Sequence, residues 1–325
     1  HTLVAKALAY GMGADYLEQD IALSKDNRAI VIHDCHLDTV TNVKDIFPNR
    51  AREDGRYYVI DFTLDEIKQL VVNERVHEKN WKVVFKKRFP FSYHHKTHLK
   101  LHLSTLEEEI ELIQGMNKST GRNVGIYPEL KKPQFHKQEG KNIAKIVIDI
   151  LYDYGYKKID SRCYVQCFDP ETLVHLRKDL KTKLKLVQLI APDNWKETPG
   201  VEYRKMLTIQ GIEEIAEYAN GIGPYIDQLV THQGKDKHQR FTGVTKIAHA
   251  NNLVVHPYTF RADKLPPYAR SFEHLLYIFF NKVGIDGVFT DFPDRVAHFL
   301  HEGLLPWDSN PDLHSARSFF KKKKP

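Results

Sequence analysis

Short apolar segments alternate with amphipathic segments along most of this chain, and no other feature restricts its fold as strongly. The alternation is regular from Thr105 onward, where each strand-like segment is followed by a helix-like segment or a loop. We predict seven strands suited to a parallel sheet, over 14–21, 124–130, 163–168, 184–190, 221–226, 253–259 and 287–291. This order of elements predicts an α/β fold.

Most of these predicted strands carry a polar residue near the carboxyl end, which favours a TIM barrel. The residues are Asp20, Glu129, Gln166, His256 and Asp291. In a (β/α)8 barrel such residues converge at one face, where the active sites of that fold lie. A doubly wound open sheet would instead need a glycine-rich phosphate loop after an early strand. Neither Gly11-Met12-Gly13 nor Gly221-Ile222-Gly223 has that placement.

The predicted barrel is interrupted by an insertion. Residues 34–104 are rich in Lys, Arg, His and Asp, and they are too many for an ordinary loop. One helix is predicted there, over 63–70, with Thr63 as N-cap and Glu66 closing a capping box. We therefore predict a barrel domain of residues 1–33 and 105–310, an inserted subdomain of residues 34–104 after the second strand, and a basic tail of residues 311–325. Because the chain opens on a loop and a helix, we expect the first barrel strand to lie upstream of His1.

Composition excludes several other classes of protein. The chain has 325 residues, of which 42% are hydrophobic, enough for a large core. The formal net charge is +6, and without the four lysines Lys321–Lys324 it is about +2, which is too small to indicate a nucleic-acid partner. Three cysteines, Cys35, Cys163 and Cys167, do not suggest a disulfide framework. No apolar stretch approaches 18 residues, so we predict no transmembrane segment.

Two carboxylates on the first predicted strand suggest a metal site. Glu18 and Asp20 point to the same side, because side chains alternate along a strand. Like charges on a buried face repel each other and lose hydration, and a hard cation such as Ca²⁺ or Mg²⁺ would remove that cost. An exposed acidic edge is the alternative. A hairpin through the polar turn at 25–28 would place His33 beside these carboxylates.

Three further residues at strand ends are candidates for the lining of the pocket. Gln166 and Tyr258 could contact substrate or could be polar groups satisfied inside the barrel. His256 precedes a proline on a strand, where a role in the pocket is favoured.

The order of motifs resembles that of glycerophosphodiester phosphodiesterases of the bacterial periplasmic or surface type. The resemblance covers nearly the whole chain and rests on residues 1–3, 14–20, 31–34, 54–58, 127–131, 187–191, 256–259 and 289–294. It implies a TIM barrel with a small insertion after the second strand. It also implies hydrolysis of glycerophosphodiesters to glycerol 3-phosphate and an alcohol, in a periplasmic, surface or secreted protein.

The resemblance also implies roles for individual residues. Glu18, Asp20 and Glu129 match ligands of one divalent cation, with Ca²⁺ expected rather than Mg²⁺. His33 matches one of two histidines that exchange acid and base roles. Lys131 matches a lysine near the phosphate, and it shares a strand face with Glu129. Gln166, His256 and Tyr258 remain candidates for substrate binding.

One part of the family pattern does not occur in these 325 residues. The family's His-Arg-Gly motif and the Pro-Glu pair that follows it would lie just upstream of His1, and His1 matches the residue after that glutamate. We therefore expect little or no phosphodiesterase activity from a chain that starts at His1. The alternative function is that of a catalytically inactive relative that serves as a binding or surface protein.

Overall fold

A computed structural model describes residues 1–78, 82, 84, 100–232 and 239–302, which belong to two compact units. The first unit contains residues 1–10 and 15–184, and the second contains residues 11–14 and those from 185 onward. The predicted tail, 311–325, lies outside the described residues, as does most of 79–99 in the predicted insertion. Among the described helices, none is both long and apolar enough to cross a membrane.

In the first unit, five strands lie side by side in the order β5-β4-β1-β2-β3, with both parallel and antiparallel pairs. The strands are β1 (Tyr16–Leu23), β2 (Ala29–Val31), β3 (Ser104–Thr105), β4 (Gly125–Leu130) and β5 (Tyr164–Cys167). Strand β4 pairs in parallel with both β1 and β5, whereas β2 is antiparallel to β1 and β3. The helices are α1 (Leu3–Gly11), α2 (Val43–Ile46), α3 (Leu64–Ile67), α4 (Leu106–Thr120), α5 (Pro133–Gln138), α6 (Ile143–Asp153) and α7 (Pro170–Lys178), with a 3-10 turn at Val59–Asp61.

The predicted hairpin at the start of this unit is confirmed. Strands β1 and β2 are in register with Ile21 opposite Val31. The turn between them contains Asn27 at φ 62°, a left-handed conformation that asparagine adopts more readily than most residues. Ser24 closes the turn, because its Oγ accepts a hydrogen bond from the Arg28 amide at 2.8 Å and donates one to Asp26 at 2.6 Å. The chain therefore returns along β1 before it reaches His33.

The described part of the predicted insertion packs on this hairpin. The predicted helix with its capping box is confirmed as α3: Glu66 Oε2 accepts from the Thr63 amide at 2.8 Å, and the Thr63 hydroxyl accepts from the Glu66 amide at 3.4 Å. Buried apolar side chains of the insertion join those of the hairpin in one cluster that includes Ile30, Phe62 and Leu70. The core of the insertion is thus continuous with that of the hairpin.

The second unit repeats the pattern of parallel strands and helices. Its strands are β6 (Lys185–Ile190), β7 (Gly221–Pro224), β8 (Val230–Thr231), β9 (Arg240–Phe241) and β10 (Val254–Val255), and β7 pairs in parallel with β6 and β10. Its α-helices are α8 (Tyr203–Met206), α9 (Ile209–Ala216), α10 (Val244–Ala250), α11 (Phe272–Tyr277) and α12 (Pro293–Glu302). Short 3-10 turns occur at Asp193–Trp195 and Ile226–Gln228, and a π-helical segment at Ile278–Val283 follows α11.

The glycines of β7 allow close packing between strands. A Cβ atom built on Gly221 would lie 2.6 Å from a methyl carbon of Val254, and one built on Gly223 would lie 2.6 Å from a methyl carbon of Leu189. Any larger residue would push the neighbouring strands apart. The Gly221-Ile222-Gly223 sequence is therefore part of a strand, in agreement with its rejection as a phosphate loop.

Candidate active site

The register of three parallel strands brings the predicted carboxylates together. Asp20 on β1 lies opposite Glu129 on β4, and Glu129 lies opposite Gln166 on β5. Neighbouring strands of a sheet are about 4.8 Å apart, so side chains at matched positions are within reach of each other. Asp20, Glu129 and Gln166 are all buried. The acidic residues from two separate parts of the sequence thus share one site in the first unit.

Lys131 lies between the two buried carboxylates. Its Nζ is 2.7 Å from Glu129 Oε1 and 3.4 Å from Asp20 Oδ1. The backbone fixes this residue as well, since the Lys131 amide donates to the Ile21 carbonyl at 3.1 Å. A single ammonium cannot balance Glu18, Asp20 and Glu129 together, so the cluster keeps excess negative charge when all three are ionised.

The pKa values of the three carboxyl groups reflect their burial and the charges close to them. Burial and the charge of Asp20 raise the pKa of Glu18 well above its usual value. Burial likewise raises the pKa of Glu129 to about 8, although Lys131 opposes the change. Burial would also raise the pKa of Asp20, but the charges of Lys131 and His33 outweigh it and lower this pKa to about 2. Glu129 thus holds a proton near neutral pH, and the oxygens of the three carboxyl groups fit a hard divalent cation that would take the place of that proton.

His1 also contacts the carboxylates, although its sequence position gave it no role. Its Nε2 lies 2.6 Å from Asp20 Oδ2 and 4.0 Å from Glu18 Oε2, and the three side chains could offer ligand atoms within 4.8 Å of one another. The Lys6 ammonium, 3.3 Å from His1 Nδ1, can only donate, so Nδ1 accepts and the Nε2–H group donates a hydrogen bond to Asp20 Oδ2. A cation at this place could displace the Nε2 proton, so His1 is a further candidate ligand beside the carboxylates.

A buried lysine of α1 fixes the position of Glu18. Lys6 Nζ donates to the backbone carbonyl of Glu18 and lies 3.5 Å from Glu109 Oε2. Glu109 is fully buried and accepts a hydrogen bond from Ser104 Oγ at 2.8 Å. The sequence gives one signal for this network, which is an isolated lysine among the apolar residues of 3–10. A helical pattern alone does not connect that lysine to Glu18.

His33 lies beside this cluster, as the hairpin predicted. The Ile32 amide donates to the Asp20 carbonyl at 2.8 Å, and the imidazole, with 56% of its side chain exposed, is accessible to substrate. His33 Nδ1 is 2.6 Å from Asp34 Oδ1. Burial opposes ionisation of Asp34, but the hydrogen bond with His33 and the charge of Arg75 hold its pKa well below the usual range. An ionised carboxylate only accepts, so Nδ1 carries the proton and Nε2 is available to exchange one.

The remaining predicted site residues fall in different places. Gln166 Nε2 donates to Glu18 Oε1 at 3.4 Å, so it contacts a predicted metal ligand. His256 and Tyr258 belong to the second unit. Burial lowers the pKa of His256 to about 4. The Tyr258 hydroxyl donates to the Ile190 carbonyl at 3.0 Å, and its ring packs near Trp195 and Tyr225.

A family profile and two curated relatives resemble this chain over most of its length. The profile of the glycerophosphoryl diester phosphodiesterase family matches residues 1–295. A glycerophosphodiester phosphodiesterase of Haemophilus influenzae is 44% identical, with 92% of this chain and 85% of the relative covered. One of Treponema pallidum is 37% identical, with 92% and 87% covered.

Solved structures show the same fold. A Thermotoga maritima glycerophosphodiester phosphodiesterase has a TM-score of 0.53 at 18% identity, with 92% of this chain and 91% of that chain covered. An Oleispira antarctica phosphodiesterase in complex with the product sn-glycerol-3-phosphate has a TM-score of 0.57 at 19% identity, with 91% and 88% covered. The predicted TIM-barrel class of α/β fold is confirmed by this likeness. With the family profile matching over most of its length, the chain belongs to the glycerophosphoryl diester phosphodiesterase family.

Proposed function

We propose that this protein hydrolyses glycerophosphodiesters to glycerol 3-phosphate and an alcohol, with one divalent cation held by Glu18, Asp20 and Glu129. The observation that carries the proposal is the alignment of Asp20 and Glu129 on adjacent parallel strands, with the Lys131 ammonium shared between them. The names of the curated relatives and the product in the Oleispira antarctica structure support the same substrate class.

The chemistry of a phosphodiester explains why such a site is needed. The substrate is an anion, and attack at phosphorus places further negative charge on its oxygens. A bound cation would offset that charge as a Lewis acid. We propose Ca²⁺ rather than Mg²⁺, because Mg²⁺ usually keeps several waters and binds through one or two carboxylates, whereas this site offers three.

The chain's own residues have distinct roles in the proposed reaction. The Lys131 ammonium can donate hydrogen bonds to a phosphate oxygen and hold the substrate in place. His33 Nε2 can take a proton from an attacking hydroxyl or give one to the leaving alkoxide. Gln166 and the Lys6 ammonium keep Glu18 in position through its side chain and its backbone.

The proposed cation dependence is tested by assaying release of glycerol 3-phosphate from glycerophosphocholine, with the chain preceded by a segment that carries the family's His-Arg-Gly and Pro-Glu motifs. We expect EDTA to abolish activity and Ca²⁺ to restore it. Asp20→Asn should remove activity at all Ca²⁺ concentrations. Asp149→Asn is the matched control, because Asp149 is an exposed residue of α6 that pairs only locally, with Lys145 at 2.6 Å. Activity that survives both EDTA and Asp20→Asn would contradict the proposal.

A second assay separates the enzyme from the inactive binding protein. We compare residues 1–325 with the same residues preceded by a segment that carries the family's His-Arg-Gly and Pro-Glu motifs. We expect both forms to bind Ca²⁺ and the extended form to turn over substrate at least 100-fold faster, since general acid-base groups contribute about 10²–10⁴-fold. Binding without turnover in the extended form would favour the binding protein.

A further inference from the structure

Arg75, in the predicted insertion, forms an ion pair with the carboxylate that contacts His33. Its Nη1 donates to Asp34 Oδ2, while the other oxygen of the same carboxylate, Oδ1, lies 2.6 Å from His33 Nδ1. The guanidinium is mostly buried, with 27% of the side chain exposed. The carboxylate of Asp34 is thus held at both oxygens, by Arg75 on one and by His33 on the other.

The backbone around Arg75 is itself anchored next to this carboxylate. The Val76 amide donates to the Thr39 carbonyl at 3.0 Å, and the Asn73 amide donates to the Val40 carbonyl at 2.7 Å. On its other side, the Arg75 carbonyl accepts from the Val84 amide at 2.9 Å. These bonds tie the segment to the stretch that follows Asp34, so the guanidinium does not depend on a free loop for its position.

We propose that Arg75 and Asp34 are positioning residues that hold His33 in the Nδ1–H tautomer, with Nε2 presented for proton exchange with the substrate. This inference rests on the proposed function. Because 56% of the His33 side chain is exposed, packing alone does not fix its ring, and a half-turn about χ2 would exchange Nδ1 with Cδ2 and Nε2 with Cε1. Without Arg75, the Asp34 carboxylate could turn toward water. The His33 ring would then lose the hydrogen bond that orients it.

The pair also explains why an insertion is part of the catalytic unit. The hairpin supplies His33 and Asp34, but the guanidinium that fixes Asp34 belongs to Arg75, about forty positions later in the insertion. Arginine suits this place, because its guanidinium stays charged and its donors have a fixed geometry.

The test compares Arg75→Gln with Arg75→Lys and with the control Arg28→Gln. Arg28, in the hairpin turn, forms an ion pair of similar type with Glu107 at 2.9 Å. We expect Arg75→Gln to lower kcat at least tenfold with KM and Ca²⁺ affinity unchanged, because a group that only positions His33 does not bind the ground state. Arg75→Lys should restore part of the loss, and Arg28→Gln should have no effect.

A spectroscopic measurement keeps this test independent of the proposed function. In protein labelled with ¹⁵N at the imidazole nitrogens, the His33 signals are identified by their loss in His33→Gln. We expect the Nδ1–H tautomer in the wild type and in Arg28→Gln, and a mixture of tautomers in Arg75→Gln with its thermal midpoint unchanged. The same tautomer and the same kcat in Arg75→Gln would overturn the inference, as would an increase in KM at constant kcat. If the wild type proves inactive, the tautomer measurement still decides whether Arg75 positions His33.

Discussion

At the scale of single residues, the site has more negative than positive charge when its carboxyl groups are ionised. This excess helps to decide which carboxyl group keeps a proton. Lys131 shares one ammonium between Asp20 and Glu129, and the two carboxyl groups respond in opposite directions. The pKa of Asp20 falls to about 2, whereas that of Glu129 rises to about 8. Two adjacent buried carboxyl groups rarely ionise together, so one keeps its proton until a further positive charge arrives.

Binding of Ca²⁺ is therefore expected to release protons. At pH 7 the Glu129 carboxyl is protonated, because burial raises its pKa to about 8, and it must lose that proton before it can bind a cation. The Glu129 proton alone should thus make the apparent Ca²⁺ affinity rise by about tenfold per pH unit below pH 8, and this contribution should level off above pH 8. Calorimetric titrations in two buffers with different ionisation enthalpies measure the protons released. Glu129→Gln should release fewer, and an identical value in wild type and variant would count against Glu129 as a ligand.

A second prediction concerns the lysine itself. Lys131→Gln removes the only described ammonium that lies within 4 Å of both Asp20 and Glu129, and we expect kcat/KM for glycerophosphocholine to fall by about 100-fold. The neighbouring Lys132 has an exposed side chain, so Lys132→Gln is the control and should keep its activity. Equal activity in the two variants would show that Lys131 does not contact the phosphate during the reaction.

At the scale of secondary structure elements, the sequence predicted what depends on local pattern. The turn at 25–28, the capping box of α3 and the helix near 140–154, observed as Ile143–Asp153, all rest on residues within a few positions of each other. Longer-range features were not predictable in this way. The predicted strand over 287–291 is reduced to a single bridge between Thr290 and Phe260, and the helix predicted over 272–283 changes to π-helical geometry after Tyr277.

The contacts that complete the site were missed for the same physical reason. The pairing of His1 with Asp20 depends on the orientation of α1, and that of Arg75 with Asp34 depends on how the insertion folds back. Neither pair could be recognised from a hydrophobic periodicity or from a sequence motif. The carboxylates proposed as metal ligands and His33, in contrast, lie at strand ends or directly after a predicted hairpin, so strand alternation and register were enough to bring them together.

The link between the hairpin and α5 gives a third prediction. His136 is fully buried, its Nε2 accepts from the Leu23 amide at 3.0 Å, and its Nδ1 donates to the Lys132 carbonyl at 3.0 Å. His136→Phe removes the acceptor of the buried Leu23 amide, whereas the Lys132 carbonyl keeps the hydrogen bond from the His136 amide at 3.2 Å, so we expect the free energy of unfolding to fall by about 1–3 kcal/mol. Urea unfolding measures this, with His301→Phe, at an exposed position of α12, as the control.

The same residue predicts a pH dependence of stability. Burial lowers the pKa of His136 below its value of 6.5 in an unfolded chain. As pH falls through 6.5 the unfolded chain therefore binds a proton that the native protein does not, and the stability that this residue contributes above 6.5 is lost. The unfolding free energy should decline less steeply below pH 6.5 in His136→Phe than in the wild type. Parallel curves for the two proteins would contradict the assignment of a neutral buried imidazole.

At the scale of the whole molecule, the proposed chemistry is concentrated in one of the two units. Five residues to which the proposal gives a role come from three strands and a hairpin, but they all lie within residues 15–184. They are Glu18, His33, Glu129, Lys131 and Gln166. The TIM-barrel prediction anticipated this convergence, because that fold collects residues from the carboxyl ends of successive strands. The division of the chain near residue 184 had no counterpart in the sequence, where strand and helix alternate without interruption on both sides.

Because the proposed ligands all lie in the first unit, we can predict how a cation should affect the stability of the protein. An ion that binds the native protein and not the unfolded chain raises the free energy of unfolding, by about 2.7 kcal/mol when its free concentration is 100 times Kd. We expect Ca²⁺ to give that increase in urea unfolding of the wild type and of Asp149→Asn, but not of Asp20→Asn. Hydrogen exchange should locate the effect, with amides of β1 and β4 gaining protection, since these strands carry the proposed ligands. If Asp20→Asn gained as much stability from Ca²⁺ as the wild type, the ion would have to bind at another place, and the carboxylates between β1 and β4 would not be the metal site.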